Sequence, residues 1–115
     1  MAYSEYQADR VRRRLSGINL TEEKKMMGGL IFMVNDKMCV GLDIEKSTGK
    51  DRLMVRVGKA KNDQLIFKKG SLEMDFTGKV MRGFLYIDPV GFDTEDDLVF
   101  WIEKALHFIK QIRIK

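Results

Sequence analysis

The spacing of apolar positions changes period twice along the chain. Near the N-terminus Ala8, Val11 and Leu15 recur three and four apart, on one face of a helix. Ser4 lies three residues before Gln7, the spacing of a capping box that starts such a helix, and Gly17 is a fitting stop. Near the C-terminus Leu98, Trp101, Ile102, Ala105, Ile109 and Ile112 form the buried stripe of a second helix, which begins at Asp93–Asp97. Its acidic first turn and its basic end at Lys110 and Arg113 suit the helix dipole, and capping accounts for Asp93. Between the helices the period falls to two. Leu30–Val34 and Lys37–Leu42 flank Asn35-Asp36, a good two-residue hairpin turn. Leu53, Val55 and Val57 alternate with Arg52, Met54 and Arg56, the pattern of a half-buried strand. Gly83–Ile87 is a further strand, ended by Asp88-Pro89, and a short helix is expected over Ala60–Phe67. Strands bracketed by helices predict an α+β, two-layer fold: an antiparallel sheet with the N- and C-terminal helices packed on one face.

Length and composition narrow the class. A chain of 115 residues is expected to be a single domain, 1–115, able to bury a core without disulfides or metal. No repeat, low-complexity tract or linker interrupts it. One cysteine cannot form an internal disulfide, so nothing points to secretion. The opening "MAYSEYQADR" is polar and unlike a signal peptide, and the longest apolar run, Leu30–Val34, is too short to span a bilayer. A cytoplasmic protein without a membrane partner is the expectation. The formal net charge of +4, with 33% of residues charged, permits nucleic-acid contact without demanding it. The positive excess lies in the first half, around "RVRRR" and "EEKK".

The candidate chemistry is sparse. "STGK" at Ser47–Lys50 resembles the end of a phosphate loop, but the glycine such a loop requires would stand at Ile44, and Asp51 follows Lys50. A polar turn is the better assignment. Gly28-Gly29 mark a bulge or tight turn where strand pairing begins at close approach to a neighbour. Cys39, set in a strand between Met38 and Val40, reads as a buried inert thiol, and the single histidine, His107, falls on the polar face of the last helix. One histidine and one cysteine cannot supply the usual zinc ligand sets, and Asp88, Asp93 and Glu95 miss the EF-hand spacing. The expectation is therefore no catalytic residues, no metal, no cofactor and no enzymatic activity.

Two surfaces are candidates for contact. On the first helix Tyr6, Arg10 and Arg13 share a face opposite Val11 and Leu15, where guanidinium groups beside an aromatic can grip phosphate or an acidic protein patch. The plainer alternative is a solvated face, with Asp9 and Arg13 paired and the stems of Arg12 and Arg14 laid over the core edge. Met33 and Met38 flank the hairpin turn, either as an adaptable sticky surface or as fillers of a small core.

The segments "EEKKMMGGLIFMVNDKMCVGL", "LMVRVG", "MDFTGKVMRGFLYIDPVG" and "WIEKALHFI", in that order, resemble the N-terminal domain of the TfoX/Sxy proteins over essentially the whole chain. Met27 stands where phenylalanine is common in that family, and Val80 where proline is common; both replacements are apolar. The resemblance implies a two-layer α+β domain similar to secretion-chaperone-like folds. It also implies kinship with regulators of natural competence that act in transcription with a cAMP-receptor-type activator. Those regulators carry a C-terminal domain, and this chain ends at Lys115, so a stand-alone docking unit that folds cooperatively is expected. The leading function is a small non-catalytic regulatory or interaction module with a protein partner, by resemblance part of the transcription machinery. The alternatives are a weak nucleic-acid binder using the first helix, and an enzyme of unassigned reaction. The family supplies no catalytic residues to carry over.

Overall fold

The computed structural model of the chain describes residues 3–18, 21–26, 28–76 and 78–113. Met27 and the last two residues of "IKQIRIK" lie outside the described residues, as does the side chain of Arg113, expected at the basic helix end. The element order is α1 (Glu5–Leu15), β1 (Thr21–Met26), β2 (Gly29–Val34), β3 (Lys37–Ile44), β4 (Asp51–Arg56), α2 (Lys59–Leu65), β5 (Ser71–Phe76), β6 (Lys79–Ile87), α3 (Pro89–Phe92) and α4 (Glu95–Arg113). The strands form one antiparallel sheet in the order β1-β2-β3-β4-β6-β5. The fold is α+β.

Local chemistry explains most boundaries. Ser4 caps α1, its hydroxyl accepting from the Gln7 N–H at 3.4 Å. The reciprocal arm of the capping box does not form, because the Gln7 side chain donates instead to Asp51 and accepts from Arg10. Asn35 and Asp36 adopt φ of 55° and 65°, the left-handed pair that a two-residue hairpin turn of matching twist requires. The last helix starts later than expected. Thr94, not Asp93, caps α4, accepting from the Asp97 N–H at 3.1 Å, while Asp93 ends α3. "STGK" is a polar turn: the Glu45 carboxylate accepts from the backbone of Ser47 and Thr48 and from the Ser47 hydroxyl.

Two strands, β1 and β5, add to the expected set: β1 carries no apolar pattern, whereas Leu72, Met74 and Phe76 alternate with polar residues along β5, a period-two signal that sequence reasoning passed over. They are the sheet edges. The side chains of β1 are exposed from Glu22 to Met26, so burial imposes no alternation on its sequence. β4 is a correction of another kind. It lies in the sheet interior, with Leu53, Met54 and Val55 all buried, and so is covered on both faces rather than half-buried.

The main core lies between one face of the sheet and the helices. Ala8, Val11 and Leu15 of α1 join Leu98, Trp101 and Ile102 of α4 against Phe32, Val40, Leu53 and Leu85. Trp101 is 1% exposed and satisfies its indole N–H on the Gly91 carbonyl at 3.1 Å. The opposite face carries a second, smaller core of Ile31, Met33, Met54, Met74 and Tyr86. Gly29 is required at its rim, because a Cβ there would run into the Leu42 carbonyl and the Asp43 side chain. Among the described residues no helix is long and apolar enough to cross a membrane.

Candidate binding groove

The arginines of α1 diverge once their surroundings are in place. Arg10 does not share an outer face with Tyr6 and Arg13. It is 4% exposed and turns into the α3–α4 junction. Its guanidinium donates to the carbonyls of Phe92, Asp93 and Thr94 at 2.9, 3.2 and 3.3 Å, to Gln7 Oε1 at 2.8 Å, and to Glu95 Oε1 at 3.2 Å. Arg14 closes on the other oxygen of Glu95 at 2.6 Å. Hydrogen bonds from Arg14 and then Arg10 hold the Glu95 carboxyl below its ordinary pKa, against the opposing effect of burial. Arg12 leans the other way, bidentate to Glu23 on β1 and within 2.8 Å of Asp9. The expected Asp9–Arg13 side-chain pair gives way to that contact, and Arg13 donates only to the Asp9 backbone carbonyl. Tyr6, 69% exposed, and Arg13 remain at the surface.

Met33 and Met38 pair across the end of the β2–β3 hairpin. Met33 is buried in the smaller core and Met38 is partly buried against it, so these methionines fill space between strands. Toward the other end of β3 Arg52 lies 3.6 Å from the centroid of the Tyr86 ring and forms a bidentate pair with Asp43. The recess lined by Gly29, Gly41, Met54 and Tyr86 holds about 10 Å³, room for one water at most. Cys39 has no exposed surface, and burial pushes its thiol up to about 12, only partly opposed by Arg56. Among the described residues no group of three or more His, Cys, Asp and Glu is placed to hold a metal ion.

A roomier concavity lies elsewhere among the described residues. An open groove of about 370 Å³ runs between α2 and α4, lined by Val57, Lys61, Phe100, Glu103, Lys104, His107 and Gln111. The helix period builds it. Phe100, Glu103, Lys104, His107 and Gln111 stand at i, i+3, i+4, i+7 and i+11 and present one side of α4. α2 is held opposite by the buried Asn62, whose side-chain oxygen accepts from the Gly83 N–H at 3.0 Å. Gly58 starts α2 against the Phe108 ring, where a Cβ would clash.

The electrostatics of this groove differ from those of α1. Lys68 and Lys104 place their ammonium groups 4.2 and 5.3 Å from the centroid of the same Phe100 ring. Arg56, next to Val57 in the chain, lies 5.3 Å from the rings of both Phe84 and Phe108. Burial lowers its pKa, although a guanidinium remains charged at neutral pH. Among the described residues the ion pairs engage Arg10, Arg12, Arg14, Arg52, Lys69 and Arg82, and none engages Arg56, Lys61, Lys68 or Lys104. These four cations stand near α2 and α4; Arg13, Lys24, Lys25, Lys37, Lys46 and Lys50 are likewise outside the ion pairs but lie on other elements and turns. Sequence reasoning passed over the groove, although the spacing of Phe100, Lys104, His107 and Gln111 carried a signal for it.

Comparison with known proteins gives one positive result. The family model for the TfoX N-terminal domain matches residues 13–109. No curated protein and no solved structure matches the chain.

Proposed function

The chain belongs to the TfoX N-terminal domain family, and from that premise we propose that it is a non-catalytic regulatory module that acts by binding a protein partner. The regulated process is transcription, in the setting of competence, and the site of action is the cytoplasm. The observation that carries this reading is the α2–α4 groove, where lysines without ion-pair partners surround the half-buried Phe100. Aromatic surface beside polar groups is the composition of contact patches between proteins. Direct nucleic-acid binding through α1 is the weaker reading, because Arg10, Arg12 and Arg14 are already engaged by internal carboxylates and carbonyls.

In-cell cross-linking, identification of the captured protein and reconstitution from purified components test the proposal. The expected result is a defined complex of fixed stoichiometry. Failure to reconstitute any such complex would overturn the proposal, as would tight binding of duplex DNA by the chain alone.

A further inference from the structure

Resting on that reading, we infer that the α2–α4 groove binds an acidic, amphipathic segment of the partner protein. Three features of the groove specify this occupant. The first is uncompensated charge. Lys68 and Lys104 crowd one aromatic ring, Lys61 lines the opposite wall, and no carboxylate among the described residues pairs with any of them. Each ammonium group stands close to the ring without a carboxylate partner, so an acidic side chain brought beside either one gains a charge-assisted contact.

The second feature is the apolar lining. Val57 is already buried, so the surface open to a ligand is that of Phe100, partly buried with its ring edge-on to Trp101 at 5.1 Å. A segment carrying only acids leaves this surface uncovered, whereas one with interspersed Leu or Phe side chains covers it. The third feature is Glu103, a carboxylate set among the cations. It disfavours a ligand of uniform negative charge, such as a phosphate backbone. It favours a polypeptide that places acids toward Lys61, Lys68 and Lys104 and something neutral toward Glu103.

The probe is a short capped, fluorescently labelled peptide in which Glu and Asp are interspersed with Leu and Phe. Its control replaces every acid by Gln or Asn. Binding to the full chain is read by anisotropy. The double variant Lys61→Ala/Lys104→Ala removes two groove cations, and Lys24→Ala/Lys25→Ala removes two exposed cations of β1. The groove variant should weaken binding about tenfold and the β1 variant less than about twofold, the difference expected between a charge pair at an interface and a distant screened one. The Gln/Asn peptide should lose at least as much as the groove variant. Equal losses in the two variants would overturn the inference, because net charge alone would then explain binding. Equal binding of the Gln/Asn peptide would overturn it as well, as would displacement of the acidic peptide by duplex DNA at lower concentration. If the reconstituted partner complex survives Lys61→Ala/Lys104→Ala intact, this inference fails while the interaction function stands. If no partner complex forms at all, the function itself fails.

Discussion

Arg10 carries a full charge into the protein interior, and its donors determine what that costs. Five hydrogen bonds to three carbonyls, Gln7 and Glu95 replace the water it loses. Arg10→Ala strands those acceptors and should destabilise the fold by about 2 to 3 kcal/mol in chemical denaturation. Arg10→Lys, which keeps the charge but not the planar fork, should fall between. The helical pattern placed Arg10 on the outer face of α1, opposite Val11 and Leu15, and could not show its burial, since most of its acceptors come from a turn at the far end of the chain. Cys39, by contrast, was legible from its strand neighbours. With its thiol pushed up to about 12 it should react slowly with a disulfide reagent in the native protein and rapidly after unfolding. At Asp36 the backbone adopts a φ of 65°, a conformation glycine enters without strain. Asp36→Gly should therefore stabilise the protein by about 0.5 kcal/mol, measured as a rise in the denaturation midpoint.

At the scale of elements, legibility followed burial. The two long helices bury helical stripes and the β2–β3 hairpin buries continuous apolar runs covered on both sheet faces, and their sequences record it. The edge strand β1 owes its place to backbone pairing with β2, which leaves little trace in side-chain pattern, whereas β5 does carry an alternation of Leu72, Met74 and Phe76 in which Met74 is buried. The contact between α1 and α4 has a pH signature. Glu95, bridging Arg10 and Arg14, has a folded pKa below the ordinary 4.5. Glu45, fixed by the Ser47 and Thr48 donors, is lowered to about 2. Below pH 4.5 the unfolded chain takes up protons on these carboxyls that the folded state refuses. Their stabilisation is complete above that pH and disappears as the pH falls through the folded pKa values. The melting temperature should thus decline on acidification over this window, and Glu95→Gln should show a shallower decline from a lower neutral value.

Across the whole molecule, pairing removes Arg10, Arg12 and Arg14 from the positive surface that the first half of the sequence displays. Arg10, Arg12 and Arg14 bind α1 to α4 and β1, whereas Arg56, Lys61, Lys68 and Lys104 stand near α2 and α4 without carboxylate partners among the described residues. Counting charges along the chain cannot reveal this, because the carboxylates that neutralise α1 lie on other elements. The methionines show the same limit, since Met33 and Met74 become a second small core only when β2 and β5 share one sheet face. The central claim is that the working surface of this domain is the α2–α4 groove and not the basic first helix. Hydrogen–deuterium exchange on the chain alone and in complex with its purified partner tests that claim most directly. Slowed exchange is expected in α2 and in the part of α4 between Phe100 and Gln111, with α1 unchanged. Slowed exchange confined to α1 and the Met33–Met38 turn would contradict it.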